Sequence, residues 1–579
     1  MVSRDTPLSA LRLVIVVLGV GTLSIPTSTS AQETAPAIES ITGADLRADL
    51  FFLAGDEMRG RLAGSSEGRL ASAFIKSRFE RLGLTPAAPG GSYYHSFNVV
   101  QAEVGEDNRL AVEYDDGRVI SKERGQEFYP LRESGSGTAG GQVVFAGFGI
   151  SAPELGHDDY GAGVAGNVVL ILDHEPEETD PESAFDGLVT SEASAAYRKL
   201  AAAQEAGAVA ALLVTDVHNH PEPGNFSAEA AGYWPETVRR GGRYTLESRL
   251  NRIRIPAVRI STALAESLVE GTGRTLAELA RGAEAAGGAA PVSLPGLEVM
   301  VSADVRREVH TARNVVGLIE GSDPELRDEW VIVCAHFDHD GAEGAMIYNG
   351  ADDDGSGTVA LIEIAEAYAE AARMGEGPRR SVLLAAWDFE EKGLLGAWAY
   401  AENPLHPLEQ TVAVLNMDMI GRNEEVVVGG GRRFRGLDIQ SAESNANAIN
   451  ILGTTRSDDL LSEVQRANTE TGLDLRFRYD NHPIQLLRRS DHWPFMQVGV
   501  PALFYHTGLH PDYHRQDDIP ERINYEKLEK VARLVYQTSW SLAQRPSGPA
   551  RISMSPPATC PSRRRCPAPR QGTPSLPWQ

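Results

Sequence analysis

From about residue 302 to 543 the chain alternates short, solidly apolar runs with stretches whose apolar residues recur at helical spacing. The runs at 330–334, 381–387, 411–415 and 502–505 are too short for buried helices and rich enough in Val, Leu, Ile and Ala to predict strands covered on both faces. A helix is expected after Gly357, with Val359, Leu361, Ile362 and Tyr368 among its buried positions. Strand and helix in alternation predict the α/β class, an open mixed sheet with helices on both faces. In such sheets ligands collect beyond the carboxyl ends of strands.

The preceding chain has two textures. Residues 41–97 carry helical periodicity: Leu46, Leu50 and Leu53 share one face, as do Leu70, Phe74, Ile75, Arg78 and Phe79, and Gly83 with Pro86 ends the second helix. From about 115 to 291 the runs become shorter and β-rich, as at 143–145 and 168–172, followed by an Ala-rich helix around 197–206, Gly207 and a strand at 209–214. The Gly- and Ala-rich stretch 282–291 reads as a linker returning from an inserted domain. The expected division is a leader at 1–31, an N-terminal part of the main domain at 36–114, a β-rich insertion at 115–291, the main domain at 295–545 and a disordered Pro-rich tail at 546–579. No internal repeat is evident.

The ends and the charge narrow the function. Arg4 and Arg12, the apolar stretch 13–20 and the small residues before Gln32 have the order of a secretory signal cleaved after Ala31, and the apolar stretch is short for a membrane anchor. The protein is therefore expected in the periplasm or the extracellular medium. Formal charge is −26, and the stretch 546–579 contributes five Arg and no acid, so the rest carries −31. An acidic body of that size repels phosphate backbones and argues against nucleic acid as a partner. Three Cys, at 334, 560 and 566, do not make a disulfide framework for 579 residues.

Polar clusters follow the predicted strands. Ala335-His336-Phe337-Asp338-His339-Asp340 offers an imidazole with a carboxylate two residues behind it, a pairing that can fix the tautomer of a metal-bound His. Asp352, Asp353 and Asp354 stand together before the helix at 357, where they repel one another unless a cation or donor groups neutralise them. Helix capping is the plain alternative. Glu390 and Glu391 follow the second strand, and adjacent carboxylates there point in different directions, so one can bind metal while its neighbour carries a proton. Asp418 follows the third strand, and Asp512-Tyr513-His514 follows the fourth. Ser490-Asp491-His492 suggests a serine hydrolase, but no Gly-x-Ser-x-Gly elbow is present.

Taken together, these motifs and the segment Asp56-Glu57-Met58-Arg59-Gly60-Arg61 resemble the co-catalytic dizinc aminopeptidases, the family that includes glutamate carboxypeptidase II and the glutaminyl cyclases. The resemblance implies the zinc exopeptidase fold and identifies the insertion as similar to a protease-associated domain. It implies His336 and Asp418 as ligands of one Zn2+, Glu391 and His514 as ligands of a second, Asp352 as the bridge, Glu390 as general base, Asp338 as the carboxylate behind His336, and Tyr513 as a hydroxyl beside the scissile carbonyl. Peptides are the substrates so implied, attacked at the amino end by a water that two zinc ions activate. A carboxypeptidase would need cations for a terminal carboxylate, for which Arg432, Arg433, Arg435, Arg488 and Arg489 are candidates. A receptor on an inactive scaffold would have lost ligands, and a cyclase does not fit the insertion. Oligomeric state is not legible in the sequence.

Overall fold

The strand Trp330–His336 lies between Ser381–Trp387 and Thr411–Met417, and Thr411–Met417 pairs in turn with Ala502–His506, all in parallel. These four form the middle of a ten-stranded sheet in the computed structural model, which describes residues 34–222, 224–237 and 242–552. Side-chain alternation explains their unbroken apolar composition. Val331, Val333 and Ala335 enter one core with Val382, Leu384 and Ala386, while Ile332 and Cys334 enter the other with Leu383, Ala385 and Trp387. The long helices Gly357–Arg373 and Tyr525–Gln544 fill the first layer; the shorter Leu395–Glu402 and Trp493–Met496 lie in the second.

The N-terminal helices Gly43–Leu53 and Ser66–Leu82 join the first layer. Thr42 and Ser65 cap them by accepting from Asp45 N–H and Gly68 N–H, and Gly83 closes the second at φ 82°. Leu46, Leu50, Leu53, Ile75 and Phe79 are buried as their spacing predicts, whereas Leu70 is 50% exposed. Ala71, Ser72 and Ile75 take the inward positions instead, so the apolar stripe is rotated from the one that larger side chains suggest.

A second sheet of eight strands spans Arg109–Tyr114 to Val292–Ala303 and contains the parallel set Gly137–Phe145, Val168–Leu172, Ala210–Val214 and Ala257–Ile260. It is wider than the expected 115–291, because its entering and leaving strands pair with each other, Tyr114 opposite Leu297. Part of the expected linker is also ordered, with Leu276–Ala283 forming a helix. The insertion returns a strand to the main sheet: Tyr244–Leu246 pairs antiparallel with Tyr94–Val104.

Residues 546–552, expected in the tail, lie on the body, where Arg551 donates to Leu408 O and Val498 O and Ile552 packs beside the second core. The expected leader at 1–31 and the stretch 553–579 lie outside the described residues. Among the described residues no helix is long and apolar enough to cross a membrane.

Candidate metal centre and cleft

Four strand ends and one irregular turn converge. His336 ends its strand, Glu390 and Glu391 follow Trp387, Asp418 follows Met417, and His514 lies in the loop after His506. The turn 351–356 precedes the helix Gly357–Arg373. Its position is held by Arg61, 1% exposed, whose guanidinium donates to Leu53 O, Phe337 O, Asn349 O and Gly350 O at 2.6–2.9 Å. Gly350, at φ 57°, has no room for a side chain, since a Cβ would stand 2.2 Å from Asp353 O. We expect Arg61→Ala to cost roughly 3 kcal/mol or more in denaturant unfolding, because hydrogen bonds to a charged group contribute about 1.5–3 kcal/mol each. Arg61→Lys should recover little of this, since an ammonium cannot reproduce the guanidinium fork.

The three consecutive aspartates have separate partners. Asp354 accepts from Gly357 N–H, Met419 N–H and His336 N–H and so ties the helix start to two strand ends. Asp352 accepts from Gly421 N–H at 2.6 Å and faces His510 Nε2 at 3.3 Å, away from the other expected ligands. Asp353 occupies the shared position, with Oδ1 3.4 Å from His336 Nε2 and Oδ2 3.0 Å from His514 Nε2. The carboxylate that stands between the two histidines is therefore Asp353, whereas Asp352, expected there, faces His510. The backbone decides between them: Asp518 accepts from the N–H groups of both Asp352 and Asp353, and the irregular turn at φ −106°, ψ 96° directs Asp353 inward.

On one side of Asp353, His336 Nε2 lies 3.7 Å from Asp418 Oδ1 and 3.7 Å from Glu390 Oε2. Its Nδ1 lies 3.2 Å from Asp338 O, an arrangement that engages Nδ1 as a donor and turns Nε2 toward the carboxylates. The Asp338 carboxylate is 3.8 Å from that Nδ1 and accepts from Glu390 N–H at 3.0 Å and Glu391 N–H at 3.4 Å. Asp338 thus positions both glutamates as well as backing the imidazole.

On the other side, His514 Nε2 is 3.5 Å from Glu391 Oε2, and its Nδ1 is 3.1 Å from Asp340 Oδ2. His339, fully buried, adds a nitrogen 2.7 Å from Glu391 Oε1. His339 and Asp340 had no expected role: they stand in the same hexapeptide as His336, but nothing in residue type separates them from loop polar groups. Phe389, Met419 and His514 have positive φ of 61°, 57° and 54°, so the backbone is strained beside Glu390 and Asp418 and at His514.

The donor set fits divalent cations. His336 Nε2, Asp353 Oδ2 and Glu391 Oε1 are buried with no hydrogen-bond partner, and several carboxylates share a volume they can occupy as anions only beside positive charge. Burial, the largest influence, together with Asp418, Asp491 and Glu391 pushes the Glu390 carboxyl well above its ordinary range against the opposing His336. Burial works to lower the His336 imidazole, but Glu390, Asp338, Asp353 and Asp418 raise it well above its ordinary value. Mixed imidazole and carboxylate ligands suit zinc.

Asp353, Glu390, Glu391, Asp418 and His514 floor a cleft of about 370 Å³, lined also by Leu486, Arg488, Arg489, His506 and Tyr513. Desolvation raises the Tyr513 phenol, keeping it a neutral hydroxyl. Arg433 donates to Tyr513 O, Arg488 is 3.8 Å from Glu192 of the insertion, and the side chain of Arg432 is outside the description. Ser490, Asp491 and His492 do not form a nucleophilic triad. Ser490 Oγ accepts from Asn416, and His492 stacks on Phe504 with neither ring nitrogen hydrogen-bonded.

Residues 314–539, which hold all of these groups except Leu53, Arg61 and Glu192, match Peptidase family M28. The match takes in the strands and loops of the metal centre and leaves the second sheet outside it. The M28 match is accompanied by 28% identity over 403 residues to the probable glutamate carboxypeptidase AMP1 of Arabidopsis thaliana, covering 66% of this chain and 51% of that protein. The mouse (Mus musculus) aminopeptidase NAALADL1 is 39% identical over 127 residues, 21% of this chain and 16% of its own. The chain thus spans about half, or less, of the length of these relatives. Among solved structures, the aminopeptidase from Aneurinibacillus sp. strain AM-1 aligns at 17% identity and a TM-score of 0.44, over 89% of this chain and 96% of its own.

Proposed function

We propose that the protein is a zinc-dependent aminopeptidase in which two Zn2+ per chain are held on either side of Asp353. His336 and Asp418 would hold one, Glu391 and His514 the other. The observation that carries this reading is the orientation of two imidazoles: each has its Nδ1 engaged by a different Asp group and turns Nε2 toward a different oxygen of Asp353. When bound, such a pair polarises a peptide carbonyl and brings a water pKa down to about 7.

The chain's own groups supply the proton path and the positioning. Glu390 lines the cleft beside His336 and Asp418 without being needed as a ligand, so its carboxylate takes the proton of the attacking water and passes it to the leaving amine. Asp338 holds the Glu390 backbone in place through the 3.0 Å hydrogen bond. Tyr513, a neutral hydroxyl on the same wall, donates toward the carbonyl oxygen as negative charge develops there.

Asp353, Glu390, Glu391 and Asp418 make the cleft floor acidic, which complements a protonated substrate amine. Amino-acid arylamides should therefore be hydrolysed, and acetylating the substrate amine should remove most turnover. One observation favours a second reading: Arg488 and Arg489 line the same cleft and suit a terminal carboxylate. If acetylated peptides with a free carboxylate are cleaved better than free-amine substrates, the protein is a carboxypeptidase.

A further inference from the structure

The inserted sheet has parallel strands of its own, and a second group of metal-type donors stands beyond their carboxyl ends. Val168–Leu172 and Ala210–Val214 are adjacent and parallel, and the loops that leave them carry His174 and Glu178 on one side and His220 on the other. This is the position at which open α/β sheets gather ligands.

Glu178 receives a different imidazole on each oxygen. His174 Nδ1 is 2.9 Å from Oε2, and His220 Nε2 is 2.6 Å from Oε1. The two rings lie 4.1 Å apart at a tilt of 34°, so both present nitrogen to one small volume. His220 Nε2 is itself buried and, despite the short approach, makes no hydrogen bond. Proximity without hydrogen-bond alignment also marks His336 Nε2 and His339 Nδ1 in the peptidase centre.

The loops are built to keep this arrangement. His174 has the left-handed backbone, at φ 59°, and the buried Lys199 ammonium holds it by donating to Leu172 O and His174 O. The Asp173 carboxylate accepts from Arg259 and from Asp216 N–H, tying one loop to the other. Asp216 then accepts from Asn219 Nδ2 through its carboxylate and from His220 N–H through its carbonyl.

We infer that His174, Glu178 and His220 form a separate site for a zinc-class divalent cation within the insertion. Two imidazoles and one carboxylate are a donor set typical of zinc, with further positions left to water. Ligand atoms around a tetrahedral zinc stand about 3.4 Å apart given metal–ligand bonds of about 2.1 Å, and one donor atom from each of the three residues lies within 4.8 Å of the other two. The cation would pin the loop that runs on to Asp186 and Glu192, which meet Arg456 and Trp493 of the peptidase part. It would be separate from the peptidase centre, since none of its ligands lines the catalytic cleft.

The test compares zinc content of the full chain and a His174→Ala/His220→Ala variant after dialysis against zinc and gel filtration. The variant should hold one zinc fewer per chain while its arylamide turnover stays within about twofold of the unaltered protein. Glu178→Gln keeps size and folding but removes the anionic ligand, so it should weaken that one zinc at least tenfold in competition with a chelating dye. Equal zinc content in all proteins, or unchanged affinity in Glu178→Gln, overturns the inference; if the double variant misfolds, Glu178→Gln decides. Failure of the catalytic reading would appear differently, as activity independent of metal with the one-zinc difference still present.

Discussion

Glu390→Gln should lower turnover by at least about 10²–10⁴-fold, the range that general acid–base groups contribute, while leaving metal content unchanged. The substitution keeps the size of the side chain and the Glu390 N–H bond to Asp338. What it removes is the carboxylate proposed to take the water proton beside His336 and Asp418. Glu391→Gln should behave oppositely at the metal, because Glu391 stands between His339 and His514 and its loss removes an anionic ligand from that side. Metal content and turnover measured on both variants separate the roles. Zinc lost from Glu390→Gln and kept by Glu391→Gln would reverse them, and activity retained by both would place the reaction elsewhere.

Asp353→Asn should be as damaging as any single change in the centre, and Asp352→Asn should be mild. Asp353 offers one oxygen to each histidine, so an amide there deprives one side of an anionic ligand and breaks what the two sides share. Changes to groups that only support ligands typically cost 10–100-fold in metal affinity, and loss of a shared ligand should exceed about 100-fold. Asp352→Asn leaves an oxygen that can still accept from Gly421 N–H and touches neither His336 nor His514, so its effect should stay below about tenfold. Competition with a chelating dye reads both values. The reverse order would restore Asp352 as the bridge.

The contrast between these two aspartates shows what the sequence made legible. Strands buried on both faces are written as solid apolar runs, so 330–334 and 381–387 identify themselves, and a parallel sheet then places polar residues at their carboxyl ends together. That reasoning reaches the clusters that hold His336, Glu390, Glu391, Asp418 and His514, and the family resemblance singles out these residues within them. It cannot choose among Asp352, Asp353 and Asp354, because three identical side chains differ only in where the turn points them. His339 and Asp340 were hidden similarly, since their part depends on the approach of His514 and Glu391 from other strands. The short strands Tyr244–Leu246 and Asp474–Arg476 carry too few residues for a period and form by pairing with distant partners. The second sheet reaches beyond 115–291 because Arg109–Tyr114 and Val292–Ala303 acquire their meaning from each other.

The central claim is a pair of zinc ions sharing Asp353, and the most direct measurement is anomalous X-ray scattering at the zinc edge from crystals of the zinc-loaded protein. The account predicts two peaks in the cleft, one beside His336 and Asp418 and one beside Glu391 and His514, with the Asp353 carboxylate between them. A single peak there, none at all, or a pair joined by Asp352 would contradict it.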